Sequence, residues 1–74
     1  MSQSEREHLV QMINQIAQNN ISAGDEHAVA EVVANHINKF WSRRMKVLLS
    51  EQIASGEARL LPAAKLAAGL MRAD

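Results

Sequence analysis

Apolar residues recur at three- and four-residue intervals along most of this chain, and no segment alternates them with polar residues as a half-buried strand would. At about 100° per residue, Leu9, Met12, Ile13, Ile16 and Ala17 share one face, which predicts a helix over 5–19. Ser4-Glu5-Arg6-Glu7 has the form of a capping box at its start. The outer face carries Gln11, Asn14, Gln15 and Gln18, amides that are either solvated or form an uncharged contact surface. NNISAGD then reads as a turn, with Gly24 available for a positive φ and Ser22 or Asp25 as the next N-cap.

A second stripe, Val29, Val32, Val33, Ile37 and Phe40, predicts a helix over 26–40. Ser42 caps a third, over 43–55, that turns Met45, Leu48, Leu49 and Ile53 inward and ends at Gly56. Val47 and Ala54 fall on its opposite side, an arrangement that suits a helix contacted twice. Pro62 opens a short fourth helix over 62–71, where Ala63, Ala64, Ala67, Ala68 and Gly69 offer a smooth surface for close approach. The expected fold is all-α: one small helical domain, residues 1–74, of three main helices plus a short C-terminal one.

A chain of 74 residues without cysteine sits near the lower limit for an independently stable core. Hydrophobic residues make up 47% of it, but many are alanine and two residues are aromatic, so little area is available for burial. This favours a subunit over a free-standing enzyme. The formal net charge is zero, against the basic excess of a dedicated nucleic-acid binder. Charge is nonetheless unevenly placed: residues 1–31 carry Glu5, Glu7, Asp25, Glu26 and Glu31 against Arg6, whereas Lys39, Arg43, Arg44 and Lys46 follow without an acid among them. No apolar run approaches the roughly 20 residues of a membrane span, and MSQSEREHLV does not read as a leader. The expectation is a cytoplasmic protein.

Catalytic chemistry has little to build on. There is no cysteine or tyrosine, no glycine-rich phosphate loop and no strand–turn–helix setting for a nucleophile, so no catalytic, cofactor-binding or metal-ligating residue is assigned. His8, His27 and His36 do not pair at ligand spacing. His36 falls within the second stripe and is expected to be buried and structural.

The stretch HINKFWSRRM concentrates what chemistry remains: the single tryptophan, the single phenylalanine and a run of cations that Lys46 extends. Ile37, Phe40 and Met45 are read as core, with Phe40 continuing the helical face. Trp41, about 100° further round, either caps the core or anchors a partner. Lys39, Trp41, Arg43, Arg44 and Lys46 form the candidate partner-binding set, since tryptophan and arginine dominate many interfaces. A small nucleic-acid module, with the cations on phosphates and Trp41 stacked on a base, is the alternative. Four cations in a neutral chain make it the weaker one.

The segments LVQMINQIA and AVAEVVANHINKFWSRRM, followed by a leucine-containing helix and a glycine turn, resemble the delta subunit of soluble, molybdenum-containing NAD-dependent formate dehydrogenases. The most specific part is His36-Ile37-Asn38-Lys39-Phe40-Trp41 with Arg44-Met45. That family reads Asp-Pro where this chain has Ser42-Arg43: Ser42 still caps a helix, while a rigid proline is exchanged for a cation. Gln18-Asn19-Asn20 is also more polar than the family pattern. The resemblance implies a non-catalytic subunit that stabilises or helps assemble a cytoplasmic complex, docking on larger subunits through the Phe40-Trp41-Arg44 corner. It places molybdopterin, iron–sulfur clusters and FMN in those partner subunits and none in this chain. Apolar residues left exposed on such a subunit also allow a homo-oligomer when it is made alone.

Overall fold

The computed structural model describes residues 4–56 and 58–71. Among them are four α-helices and no strand: α1 (Glu5–Asn19), α2 (Glu26–Phe40), α3 (Arg43–Ala54) and α4 (Pro62–Gly69), with a single 3-10 turn at Ile21–Ala23 between the first two. The fold is a small compact all-α one. Each of the first three helices opens on a side-chain cap that satisfies a backbone N–H without a helical partner. Ser4 Oγ accepts from Glu7 N at 3.1 Å, Asp25 Oδ1 from Ala28 N at 2.9 Å and Ser42 Oγ from Met45 N at 3.2 Å. Pro62 starts α4, where its missing N–H costs nothing.

Gly24 adopts φ 141°, and a Cβ there would come within 3.1 Å of the Ala28 Cβ, so this turn needs glycine for both backbone and space. Gly56, at φ 79°, ends α3 in the left-handed conformation common after a helix.

α2 packs chiefly on α4 and α3 chiefly on α1, while α1 also touches α2 and α4. Ile13, Val33, Ile37 and Leu49 are the largest fully enclosed side chains. The buried residues of α4 are both alanine, Ala64 and Ala67, and α2 buries Ala30 and Ala34 beside Val29, Val33 and Ile37. Val47 and Ala54 face outward on α3.

Asn14, read as part of the outer face of α1, is half-buried and spent on the chain itself. Its Nδ2 donates to Arg59 O at 2.7 Å and its Oδ1 accepts from Leu61 N at 2.9 Å. One amide thereby satisfies two backbone groups of the segment leading into α4.

The corner between α2 and α3 departs from the helical-wheel expectation. Phe40, expected in the core, is 69% exposed, and Trp41 is 6% exposed. The wheel fails because the helix ends here: Trp41 has φ −85° and ψ 140°, extended backbone, although its N–H still bonds to Ile37 O. That change of direction turns the indole into the core cluster. Phe40, the last helical residue, stands beyond the last packed layer, because the following helix lies on α1 rather than on α2.

Two further assignments are corrected. His36, expected to be buried, is exposed. α4 covers the flank of α2 that carries Ala34 and Asn38, which share a recess with Leu70, and leaves Val32 and His36 on the other flank uncovered. Lys46, expected among the partner-facing cations, is 5% exposed. It stands three residues before Leu49 and seven before Ile53, on the same helical stripe as these inward-facing residues. Ile37 is fully buried and Met45 half-buried.

Candidate partner-binding surface

The exposed corner is built around Phe40. Its ring lies 4.9 Å, centroid to centroid, from that of His36 one turn earlier, with the planes tilted by 49°. Val32, one further turn back, is 38% exposed. Spacing of four residues sets these side chains one above another, so Val32, His36 and Phe40 form an uncovered line along α2. Lys39 precedes Phe40 and Arg43 opens α3 just beyond the corner; both are exposed.

The predicted cations therefore divide by environment. Lys39 and Arg43 face solvent, whereas Lys46 is enclosed. Arg44 is bound by Glu5 at the start of α1, Nη1 to Oε1 at 3.0 Å and Nη2 to Oε2 at 3.1 Å. This forked geometry is the strongest form of an arginine–carboxylate contact, and it sets part of the basic cluster against the acidic first half of the chain. The guanidinium side chain is still 72% exposed. A second pair, Arg6 Nη2 to Glu51 Oε1 at 2.7 Å, joins the same two helices. Among the described residues these are the ion pairs present.

Trp41 is the member of the predicted set whose role changes most. Enclosed in the core, it holds the corner from inside, and the projecting aromatic is its neighbour Phe40. In chemical terms the surface offers one large apolar anchor, an imidazole and two exposed cations, a combination suited to an apolar partner surface fringed by carboxylates.

A concave feature went unread in the sequence. An apolar groove of about 540 Å³ lies where the end of α1, the 3-10 turn and the starts of α2 and α4 meet. Ala17, Ile21, Val29, Leu61, Pro62 and Ala63 line it, with Asp25 and Glu26 among the polar residues at its edge. Ile21 is 71% exposed and Leu61 42%. The signal was present in the isolated isoleucine of NNISAGD and in the Leu60-Leu61-Pro62 run, neither of which any stripe absorbs. Among the described residues no group of three His, Asp or Glu side chains is placed to hold a metal ion, and no helix is long and apolar enough to cross a membrane.

The family described as NADH-dependant formate dehydrogenase delta subunit FdsD matches residues 8–68 of the chain. No curated protein and no solved structure matches it.

Proposed function

The chain belongs to the delta subunit family of NADH-dependent formate dehydrogenases, and we propose that it is a non-catalytic accessory subunit that stabilises or helps assemble a cytoplasmic complex of that activity. The larger subunits carry the molybdopterin, iron–sulfur clusters and FMN, and this chain binds none of them. It docks on a larger subunit through the corner formed by Phe40, Lys39 and Arg43, with Arg44 at its margin.

The observation that carries this reading is the exposure of Phe40. Of the two aromatic residues in the chain, one is enclosed and the other stands 69% exposed between two free-facing cations. An isolated domain gains nothing from an aromatic ring in water, whereas burying that ring at an interface supplies a large share of binding energy.

Affinity purification of the tagged chain from its native host, with the eluate assayed for formate-dependent NAD reduction, tests both parts. Recovered activity supports the accessory role. Phe40→Ala should then reduce that recovery, weakening binding by about 2 kcal/mol while leaving helix content unchanged. Undiminished recovery with Phe40→Ala would move the docking surface elsewhere, and recovery of nucleic acid or of the small chain alone would reject the accessory role.

A further inference from the structure

Among the described residues one charged side chain is buried, that of Lys46, which is 5% exposed. It stands at the edge of the inward stripe of α3, three residues before enclosed Leu49 and four before exposed Ser50. No ion pair or hydrogen bond engages its ammonium among the described residues. None of the described polar side-chain atoms is both sealed from water and unbonded, so that ammonium keeps a narrow opening to solvent. Lys46 also lines a shallow, mostly apolar recess of about 310 Å³ on the outer side of α3, together with Val47, Ser50, Glu51 and Ala54. Glu51, the carboxylate at this recess, is held by Arg6 at 2.7 Å. Because α3 packs chiefly on α1, this outer side is open, and Val47 is 42% exposed. A lysine ammonium is rarely enclosed without an anion, since stripping water from the charge is costly and a counter-ion offsets that cost. Nothing among the described residues supplies the anion.

We infer that Lys46 receives a carboxylate from a larger subunit, presented by a partner segment that seats on the outer side of α3. The inference rests on the accessory-subunit reading and deepens it by naming the chemistry of the partner. Arg43 opens α3 beside the Phe40 corner, and Val47, Ser50 and Ala54 follow it at spacings of four, three and four. Such residues share one side of a helix, so the recess continues the corner's surface along α3. Val47 and Ala54 are small enough to let a partner segment approach closely, and an apolar wall that excludes water strengthens an ion pair beside it. Ser50, one turn beyond Lys46, brings a hydroxyl that can donate to the same carboxylate. The fit is to a single aspartate or glutamate flanked by apolar atoms. A nucleic-acid backbone needs several exposed cations in a row, a poor match for one enclosed ammonium beside Glu51.

Cross-linking and one substitution test it. In the complex recovered with the tagged full chain, a water-soluble carbodiimide joins an amine to a carboxylate already in contact and leaves no spacer. Mass spectrometry of the resulting peptides should find Lys46 linked to an aspartate or glutamate of a larger subunit. Lys46→Met, which keeps the length of the side chain and removes its charge, should lower the formate-dependent NAD reduction recovered per tagged chain by roughly tenfold or more. In the isolated chain the same change should leave the midpoint of urea unfolding unchanged or raise it, because an unpaired enclosed charge is exchanged for an apolar side chain. A merely structural lysine would give the opposite, a lowered midpoint together with any loss of recovery. Cross-links from Lys46 only to its own chain, a Lys46→Met chain recovered as well as the wild type, or a lowered midpoint would overturn the inference and leave the accessory role standing. A wild-type chain that recovers no formate-dependent activity would instead reject the accessory role, and this contact with it.

Discussion

The two main helix contacts in this molecule are held by different means. Between α2 and α4, the α4 side buries alanine alone, Ala64 and Ala67, while α2 buries Ala30 and Ala34 beside Val29, Val33 and Ile37, and no ion pair crosses the contact among the described residues. Small side chains let two backbones come close, so that area is buried through proximity rather than through bulk. Between α1 and α3 the centre is bulkier, with Leu9, Ile13 and Leu49 enclosed, and the margin carries two ion pairs. Glu5 reaches Arg44 and Arg6 reaches Glu51, positions seven residues apart and about 10 Å along α3. The first turn of α1 thus straddles α3. The first contact tolerates no added volume, while the second is tuned by charge.

Trp41 sits where the two contacts meet, at the turn from α2 into α3, and its removal should have the largest effect. Trp41→Ala is expected to lower stability by about 3 kcal/mol or more in urea unfolding, since a large enclosed side chain leaves a cavity the backbone cannot close. In a domain this small, that loss could unfold it outright. A decrease below about 1 kcal/mol would place the indole outside the core, in contradiction to its 6% exposure.

Next in size is Ala67→Leu, expected to cost about 2 kcal/mol because α4 can admit the larger side chain only by moving away from α2. Ala54→Leu, the same change on the exposed side of α3, should leave stability within about 0.5 kcal/mol. Equal effects from the two would erase the distinction between the contacts.

These residues also mark what the sequence made legible. The four-residue spacing of Leu9, Ile13 and Ala17 and of Val29, Val33 and Ile37 reported the buried faces, because periodicity is set by packing along the body of a helix. The serine and aspartate caps were legible for an equally local reason: the capping oxygen lies two or three residues from the N–H it serves. The alanine face of the fourth helix signalled a close neighbour without naming it. Phe40 was misplaced and Trp41 was left between the core and a partner, because a wheel assumes that the helix continues and that a neighbour covers its whole length. The first assumption fails at Trp41 and the second at Phe40. His36 and Lys46 were misread for a related reason, since which flank α4 covers and how far a lysine stem packs depend on tertiary neighbours. Asn14 belongs with them: its partners lie 45 and 47 residues away.

The smallest expected effect concerns the charged margin of the α1–α3 contact. Glu5→Gln removes the forked bond to Arg44, whose guanidinium side chain is 72% exposed against 52% for Glu5. Pairs this open to water are screened, so the loss should be below about 1 kcal/mol. Glu5 is also the first residue of α1, where a carboxylate favours the helix start independently of Arg44. The two contributions are separated by adding Arg44→Gln alone and the double variant, because the coupling in that cycle contains the pair and not the helix-end effect. Measured by urea unfolding at low and at high salt, the coupling should be a few tenths of a kcal/mol and should shrink as salt is raised. A coupling above about 2 kcal/mol that salt does not reduce would mean that charge, rather than Ile13 and Leu49, holds α3 to α1. A small, salt-sensitive one leaves the pair with the task its geometry suits, fixing how α3 lies across α1 and hence where Arg43 and Phe40 are presented.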